Sequence, residues 1–442
     1  MRGLIVLWLV AACIGCGSAP TRVEIPAPPV SADASLDDLA GGWREHEDEV
    51  LGWLSRGDPT FGLRVGVVPT LSTPDAEVEA NWLNARDRGQ ALEEAEIALA
   101  RWDVPAKLLQ GKSDRAWELR LERELVVRAV REERYRYERE RELPRAASDL
   151  VRATIAAFKG APSTDSSKAH ARWITRRLDE VRASLRSGPL SAMELAELED
   201  ALDPLERDAL LEVNAVIARL RVDLEAQPRA PSRAPDARAI ERSVGAHLGT
   251  SFPLTVIRSR LERAEASMRD AVRAQAARMS TEEGRAAERA AEQLLFTASR
   301  CGAAGIPSQM RRALPSPERA LVCASVRAVA DARNDTDALA ALIALHDEMS
   351  VALWAIAMGS LGMDGDTAQR SYKLMSATPP ERSVRWVRLA AVRPATAIGA
   401  GLGAEMLARR GVSEAPRIAR AWGAFGDAPL DIVEREVMAK LR

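Results

Sequence analysis

The chain has 442 residues, of which 47% are hydrophobic, enough for a substantial core in as many as about three domains. Its 62 basic and 64 acidic residues nearly cancel, to a formal net charge of −2, so nothing in the charge balance favours a nucleic-acid partner. Only three Tyr and five Phe occur among abundant Ala, Leu, Arg and Glu, a composition typical of helical proteins.

The first predicted element is an export signal. Arg2 is followed by an uncharged apolar run at 4–14, which is too short to cross a bilayer because a span needs about 20 residues. Small residues precede a cysteine at the end of this run, as in the Leu/Val-small-small-Cys box of bacterial lipoproteins. Cys13 fits the box letter by letter, whereas Cys16 leaves an apolar core of better length, and we favour Cys16 as the acylated residue. The alternatives are an ordinary cleaved signal and an uncleaved anchor.

Residues 1–15 are therefore interpreted as a lipoprotein signal peptide and residues 16–36 as a stalk. The segment 17–35 has four prolines and no helical period, which predicts an extended, semi-flexible tether. Acylation would make membrane lipid a partner and would place the body in the periplasm or on the cell surface. No later stretch has about 18 uninterrupted apolar residues, so we expect no membrane-spanning helix.

Beyond the stalk, the sequence predicts an all-α, multi-helix array. Helical periodicity is nearly continuous, and the longest charge-dense helix is expected at 113–145. A Pro-rich segment at 228–238 separates an N-terminal helical part, 37–227, from a C-terminal part, 239–442, which we expect to pack as one body.

Local signals mark several further helices. A helix predicted at 166–188 places Ile174, Leu178, Val181 and Leu185 on one face. The pattern Ser-x-x-Glu, typical of a capping box, predicts two helix starts. The Gly-rich apolar segment 397–406 predicts a helix that neighbouring backbones approach closely. The two capping boxes are Ser191 with Glu194 and Ser280 with Glu283.

The four histidines give no local metal pair, because none lies three or four residues from another. The stretches that begin at His46 and His346 resemble the start of a zincin motif but lack its second histidine. His346, beside Asp347 and Glu348, is a candidate for a general base. The competing interpretation is a surface histidine or a core histidine with its hydrogen bonds satisfied.

Two cysteines remain in the body, Cys301 and Cys323. In an exported protein two such thiols are often paired, and this pair would close a loop of about 20 residues, worth roughly 3 kcal/mol. The alternative is two buried free thiols.

Several stretches resemble, in order, a large bacterial family of mostly helical proteins catalogued as a domain of unknown function. Residues 242–270 are similar to a family turn that leads into a long helix, and 361–376 with 388–407 resemble its C-terminal segments. Residues 425–437 resemble its closing helix. Many members are lipoproteins and look like zinc peptidases of the gluzincin type. The resemblance implies a helical peptidase-like body.

The family's metal helix carries His-Glu-x-x-Pro-Gly-His-His, and the closest stretch here is 303–310. Its Ile-Pro core aligns, but the ligand positions hold residues that cannot bind zinc or activate water. Glu318 resembles the family's glutamate ligand, although its spacing is shorter than the family's. If the resemblance holds, the metal site is empty and no cofactor is expected; a Cys301–Cys323 bridge would replace the metal as a local staple. The degenerate positions are Ala303, Ala304, Gln309 and Met310.

Three functional interpretations follow. The first is a lipid-anchored, non-catalytic relative of zinc-peptidase-like proteins that binds or scaffolds an unknown protein or peptide partner. The second is an active zinc-type hydrolase with a non-standard site around His346 and Glu318. The third is a structural helical lipoprotein unrelated to the peptidases.

Overall fold

The computed structural model describes the chain in segments that are almost entirely helical, which confirms the all-α prediction. The predicted signal peptide and most of the stalk lie outside the described residues. These are 36–58, 61, 88–101, 114–142, 189–208, 211–231, 236–296, 324–365, 380–423 and 429–440, with shorter pieces at 175–176, 178–179, 181–183, 185, 367–368 and 370–371.

The helices fall on both sides of the Pro-rich segment 228–238. Before it lie α1 (Leu36–Gly57), α2 (Arg88–Arg101), α3 (Asp114–Glu142), α4 (Ala192–Asp208) and α5 (Leu211–Glu225). After it lie α6 (Ala237–Leu248), α7 (Leu254–Ala276), α8 (Thr281–Phe296), α9 (Ala324–Asp331), α10 (Asp335–Leu361), α11 (Pro380–Val392), α12 (Pro394–Arg410), α13 (Ala415–Gly423) and α14 (Leu430–Lys440), with a 3₁₀ turn at Val412–Glu414.

Both predicted capping boxes are present. The backbone N–H of Ser191 donates to Glu194 Oε2 at 2.8 Å, and the N–H of Glu194 donates back to Ser191 Oγ at 3.3 Å. Ser280 and Glu283 make the same two bonds at 2.8 and 3.3 Å before α8. Each box satisfies two backbone donors that the first turn of a helix leaves without an intrahelical acceptor, which is why α4 and α8 begin at these points.

Helical periodicity also predicted which side chains face inward around residue 180. Leu178 and Val181 are fully buried and Leu185 is nearly so, in a stretch whose described residues are helical, while Ile174 lies outside the described residues. The short strands β1 (Leu190–Ser191) and β2 (Arg229–Ala230) then pair in parallel. Part of the Pro-rich segment is thus held against the start of α4.

The central element is α10. It packs against α6, α7, α8, α9, α11 and α12, and most of its side chains are buried. By length and composition α10 is the one described helix that could cross a membrane, yet 72% of its apolar window is buried inside the protein. A helix that is apolar on all sides suits a position surrounded by other helices.

Helices from both halves of the chain share one core. A single cluster of buried apolar side chains extends from Trp43 in α1 to Val437 in α14. The N-terminal helices α1, α2 and α3 pack on one another, and α3 also packs against α6. The Pro-rich segment therefore lies between two sets of helices that contribute to the same hydrophobic core.

The predicted Gly-rich helix is α12, and it packs closely against α10. A Cβ added at Gly401 would collide with the Cβ of Ala352 and would lie 3.2 Å from the carbonyl oxygen of Glu348 and 3.4 Å from a methyl group of Leu261. Glycine is required here because the backbone of α12 occupies the space that a side chain would need. This contact brings α7, α10 and α12 together beside Glu348.

Candidate functional site

Of the site residues predicted from sequence, only His346 lies among the described residues. The others therefore stay predictions. They are the acylation candidates Cys13 and Cys16, the cysteines Cys301 and Cys323, the degenerate metal-motif positions Ala303, Ala304, Gln309 and Met310, and the candidate ligand Glu318.

His346 projects from the middle of α10 and meets α7. Its Nε2 lies 2.8 Å from Glu265 Oε1, and its Nδ1 lies 3.5 Å from Asp347 Oδ1, at the limit of a hydrogen bond. The side chains of Glu265 and Asp347 are each only 11% exposed, while His346 is 26% exposed. The imidazole therefore lies at the edge of the core, and each of its two nitrogens faces a carboxylate.

Glu265 has a second partner on its own helix. Arg269, one turn further along α7, donates from one nitrogen to both Glu265 oxygens, at 2.6 and 2.7 Å. The Arg269 side chain is half exposed, and the hydrogen bond to Glu265 raises its pKa further above the already high value of a guanidinium. The Glu265 carboxylate is thus shared between a permanent cation and the imidazole of His346.

The surroundings of His346 favour its protonated form. Burial acts to lower the pKa, but the hydrogen bond and charge of Asp347, with the charge and hydrogen bond of Glu265, outweigh it, so the pKa of His346 is raised. An imidazolium donates from both nitrogens and has no lone pair. In that form His346 can neither take up a proton nor bind a metal ion.

A second polar cluster, which no sequence pattern predicted, lies deeper in the protein. His247 Nδ1 on α6 lies 2.9 Å from Glu132 Oε1 on α3, and Arg136 donates to Glu132 at 2.7 Å and to Glu133 at 2.7 Å. Arg88 on α2 donates to the other Glu133 oxygen at 2.9 Å. We call these five residues the Glu132 cluster.

The Glu132 cluster joins three helices through buried charges. The side chains of Glu132 and Glu133 are 6% and 4% exposed, and that of His247 is 7% exposed. A buried carboxylate is costly unless cations and donors surround it, so the guanidinium groups of Arg88 and Arg136 are what allow α3 to face the core here. Although this helix is dense in charged residues, Glu132 and Glu133 are therefore buried rather than solvated.

The contacts of the two histidines with Glu265 and Glu132 had no local sequence signal. Glu265 lies 81 residues from His346, and Glu132 lies 115 residues from His247. The pairing of Arg269 with Glu265 and that of Arg136 with Glu132 and Glu133, three or four residues apart on one helix, were recognisable from spacing. The remaining partners are brought together by helix packing.

The donor groups in the described segments do not converge on one point. No group of three His, Cys, Asp or Glu side chains there is arranged to hold a metal ion. At His346 the two carboxylates approach different ring nitrogens, so a single ion would not reach both carboxylates and the ring. The arrangement instead suits a fixed ionic link between α7 and α10.

Comparisons with protein-family models, with curated proteins and with solved structures give no significant match to this chain.

Proposed function

We propose that this protein is an exported, lipid-anchored helical protein that binds or scaffolds a protein or peptide partner, and that it is a non-catalytic relative of zinc-peptidase-like proteins. The predicted signal peptide and Cys16 support the anchor. The resemblance in the C-terminal half supports the ancestry, and the alanines at positions 303 and 304 support the loss of catalysis.

One observation carries the non-catalytic part of this proposal. His346 is the described histidine that the sequence predicts as a candidate general base. It is hydrogen-bonded to Glu265, and Glu265 in turn accepts hydrogen bonds from Arg269. A general base needs a free lone pair near neutral pH, and a zinc ligand needs a neutral imidazole. The carboxylates beside His346 raise its pKa, which reduces the fraction of neutral imidazole that could serve as a base or a zinc ligand.

Zinc content tests the absence of a catalytic metal. We would purify the full-length protein from cells grown with added zinc and measure zinc by elemental mass spectrometry, alongside the His346→Ala variant. We expect far less than one zinc per chain in both proteins. One zinc per wild-type chain, lost in the variant, would contradict the proposal.

The anchor has its own test. The mass of the N-terminal peptide of membrane-extracted protein should show acyl chains on Cys16, and Cys16→Ala should release the protein from the membrane fraction while Cys13→Ala should not. Acylation at Cys13 would move the anchor by three residues. An N-terminal peptide without acyl chains would refute lipid anchoring.

A further inference from the structure

One face of α3 carries a stripe of four residues that contact the C-terminal helices. The spacings along the stripe are seven, four and four residues, which keep all four side chains on one side of the helix. The first three contact α14, and the fourth contacts α6. The four residues are Trp117, Glu124, Arg128 and Glu132. We call the three contacts with α14 the α3–α14 seam, and it adjoins the Glu132 cluster on the same side of α3.

Long side chains form the α3–α14 seam. Trp117 Nε1 donates to Glu436 Oε2 at 2.7 Å. Two nitrogens of Arg435 donate one to each oxygen of Glu124, at 2.8 and 3.2 Å. The backbones of α3 and α14 are not closely packed, in contrast to those of α10 and α12. The seam is therefore a row of polar links across a gap between two helices.

The third link of the seam joins Arg128 to Asp431 at 2.5 Å. The Asp431 side chain lies over Gly249 at the end of α6, where an added Cβ would collide with it. Burial raises the pKa of Asp431, although the charge of Arg128 acts to lower it. The ion pair therefore does not fully offset the cost of removing this carboxylate from water.

The seam and the Glu132 cluster differ in their access to water. The side chains of Arg435 and Glu124 are 51% and 27% exposed, whereas those of Glu132 and His247 are 6% and 7% exposed. Water and salt weaken an exposed ion pair, while separating a buried pair leaves an uncompensated charge inside the protein. Of these two attachments of α3, the seam is therefore the weaker and the Glu132 cluster the stronger.

Helix packing places a pivot at the Glu132 cluster. Helices α1, α2 and α3 pack on one another, and among the described helices α6 is the C-terminal one on which this group packs closely. A small, polar interface between two parts of a chain permits relative motion of the parts. A rotation about the contact of α3 with α6 would open the seam and leave the packing among α1, α2 and α3 intact.

We propose that the α3–α14 seam is a salt-sensitive latch, which opens and closes in the folded protein while the Glu132 cluster keeps α3 attached to α6. Opening moves α1 and α2 together with α3, because the three helices pack on one another. At about 1 M salt the screening length falls to about 3 Å, close to the length of an ion pair. The closed form then loses most of the attraction that Arg128 and Arg435 provide, so ionic strength sets the position of the N-terminal helices relative to α14.

Pulsed electron spin resonance on the full-length protein tests the latch. Spin labels carried by a genetically encoded amino acid leave the native cysteines unchanged, and they replace the exposed residues Arg120 on α3 and Ala439 on α14. A second labelled protein reports on the pivot, with labels at the exposed residues Arg131 on α3 and Arg242 on α6. Between about 50 mM and about 1 M potassium chloride, we expect the population at the longer distance to grow about threefold for the first pair and to stay constant for the second.

Charge variants identify the groups that hold the latch closed. Glu124→Arg places two arginines opposite each other and should raise the open population at low salt about as much as 1 M salt does. Adding Arg435→Glu reverses both charges and should restore the closed distance. The matched control is Arg258→Met, which removes an exposed ion pair with Glu262 on α7 and should change neither distance.

Three results would overturn the inference. A single distance between the labels at 120 and 439, unchanged at every salt concentration, would show that the contact is fixed. Equal lengthening between 131 and 242 would show that the N-terminal helices leave α6 as well. A double variant as open as Glu124→Arg would show that the pairing of these two charges does not close the seam. The salt series uses no charge variant, so it decides the proposal even if Glu124→Arg fails to fold.

Discussion

Gly401 on α12 and Ala352 on α10 lie so close that a Cβ on Gly401 would overlap the Cβ of Ala352. Two core helices can therefore pack almost backbone to backbone, and the carbonyl oxygen of Glu348 lies at the same contact. The small residues Gly401 and Ala352 at this crossing set the distance between α10 and α12.

Substituting Gly401 tests this contact. Gly401→Ala should destabilise the protein by about 1–3 kcal/mol, because α12 must move away from α10 to make room for the methyl group. Urea unfolding would measure the change. Gly284→Ala is the control, because a Cβ at this helical position of α8 meets nothing within 4 Å. It should stabilise by about 0.5–1 kcal/mol through helix propensity. Equal effects of the two changes would contradict close packing at Gly401.

Removing the Arg136 guanidinium should strongly destabilise the fold. Arg136→Met leaves the carboxylates of Glu132 and Glu133 buried with less compensation, and losing one partner of a buried ion pair costs about 3–5 kcal/mol. Arg258→Met is the matched control, because Arg258 and its partner Glu262 are each about half exposed. Exposed pairs contribute about 0–1 kcal/mol. Similar midpoints for both variants in thermal unfolding would show that the Glu132 cluster is not a buried charge network.

His346 should make stability depend on pH. Its pKa in the folded protein is raised above the unfolded value of about 6.5, so protonation favours the folded state. The contribution is complete below the unfolded pKa and is lost as the pH rises through the folded pKa. His346→Gln should therefore destabilise the protein at about pH 5 and have a smaller effect at about pH 8.5.

Glu265→Gln separates charge from hydrogen bonding at the same contact. The amide oxygen still accepts a bond from His346 Nε2, but the negative charge is gone, so the pKa of His346 should fall. Titration of the histidine ring signals by NMR would measure it. An unchanged pKa would assign the raised value to Asp347 alone.

The capping box at the start of α8 is expected to contribute measurably to the free energy of unfolding. Ser280→Ala removes the hydroxyl that accepts from the N–H of Glu283, and such changes cost about 1 kcal/mol. The backbone and hydroxyl of Ser280 hold the pKa of Glu283 below its usual range, so the stabilisation should fade as the medium becomes acidic enough to protonate Glu283. Chemical unfolding of Ser280→Ala and the wild type at neutral and acidic pH gives the comparison, and a difference that grows towards acid would contradict this assignment.

Cys301 and Cys323 lie outside the described residues, and their pairing stays a prediction. Peptide mass spectrometry of exported protein, without reduction, should find them joined. Reduction should then lower the free energy of unfolding by roughly 3 kcal/mol, since the closed loop has about 20 residues. Two free thiols would refute the bridge and favour the alternative of buried unpaired cysteines.

Local features of this fold were predictable because their causes are local. Helical periodicity placed Leu178 and Val181 in the core, and the Ser-x-x-Glu pattern placed the starts of α4 and α8. The small residues of 397–406 predicted a close helix contact without naming the partner. Each of these signals depends on residues within one or two turns of one another.

Only the packing of the helices decided which distant residues contact one another. His346 meets Glu265 rather than only its sequence neighbours, Glu132 faces His247 across the core, and Gly401 faces Ala352. The sequence by itself determined that the body is helical. The acylated N-terminus and the loss of metal ligands at Ala303 and Ala304 stay predictions from the sequence. Which carboxylate faces the histidine depends on how antiparallel helices align over many turns, because a shift by one turn moves a side chain about 5 Å along the helix axis, beyond the reach of a hydrogen bond.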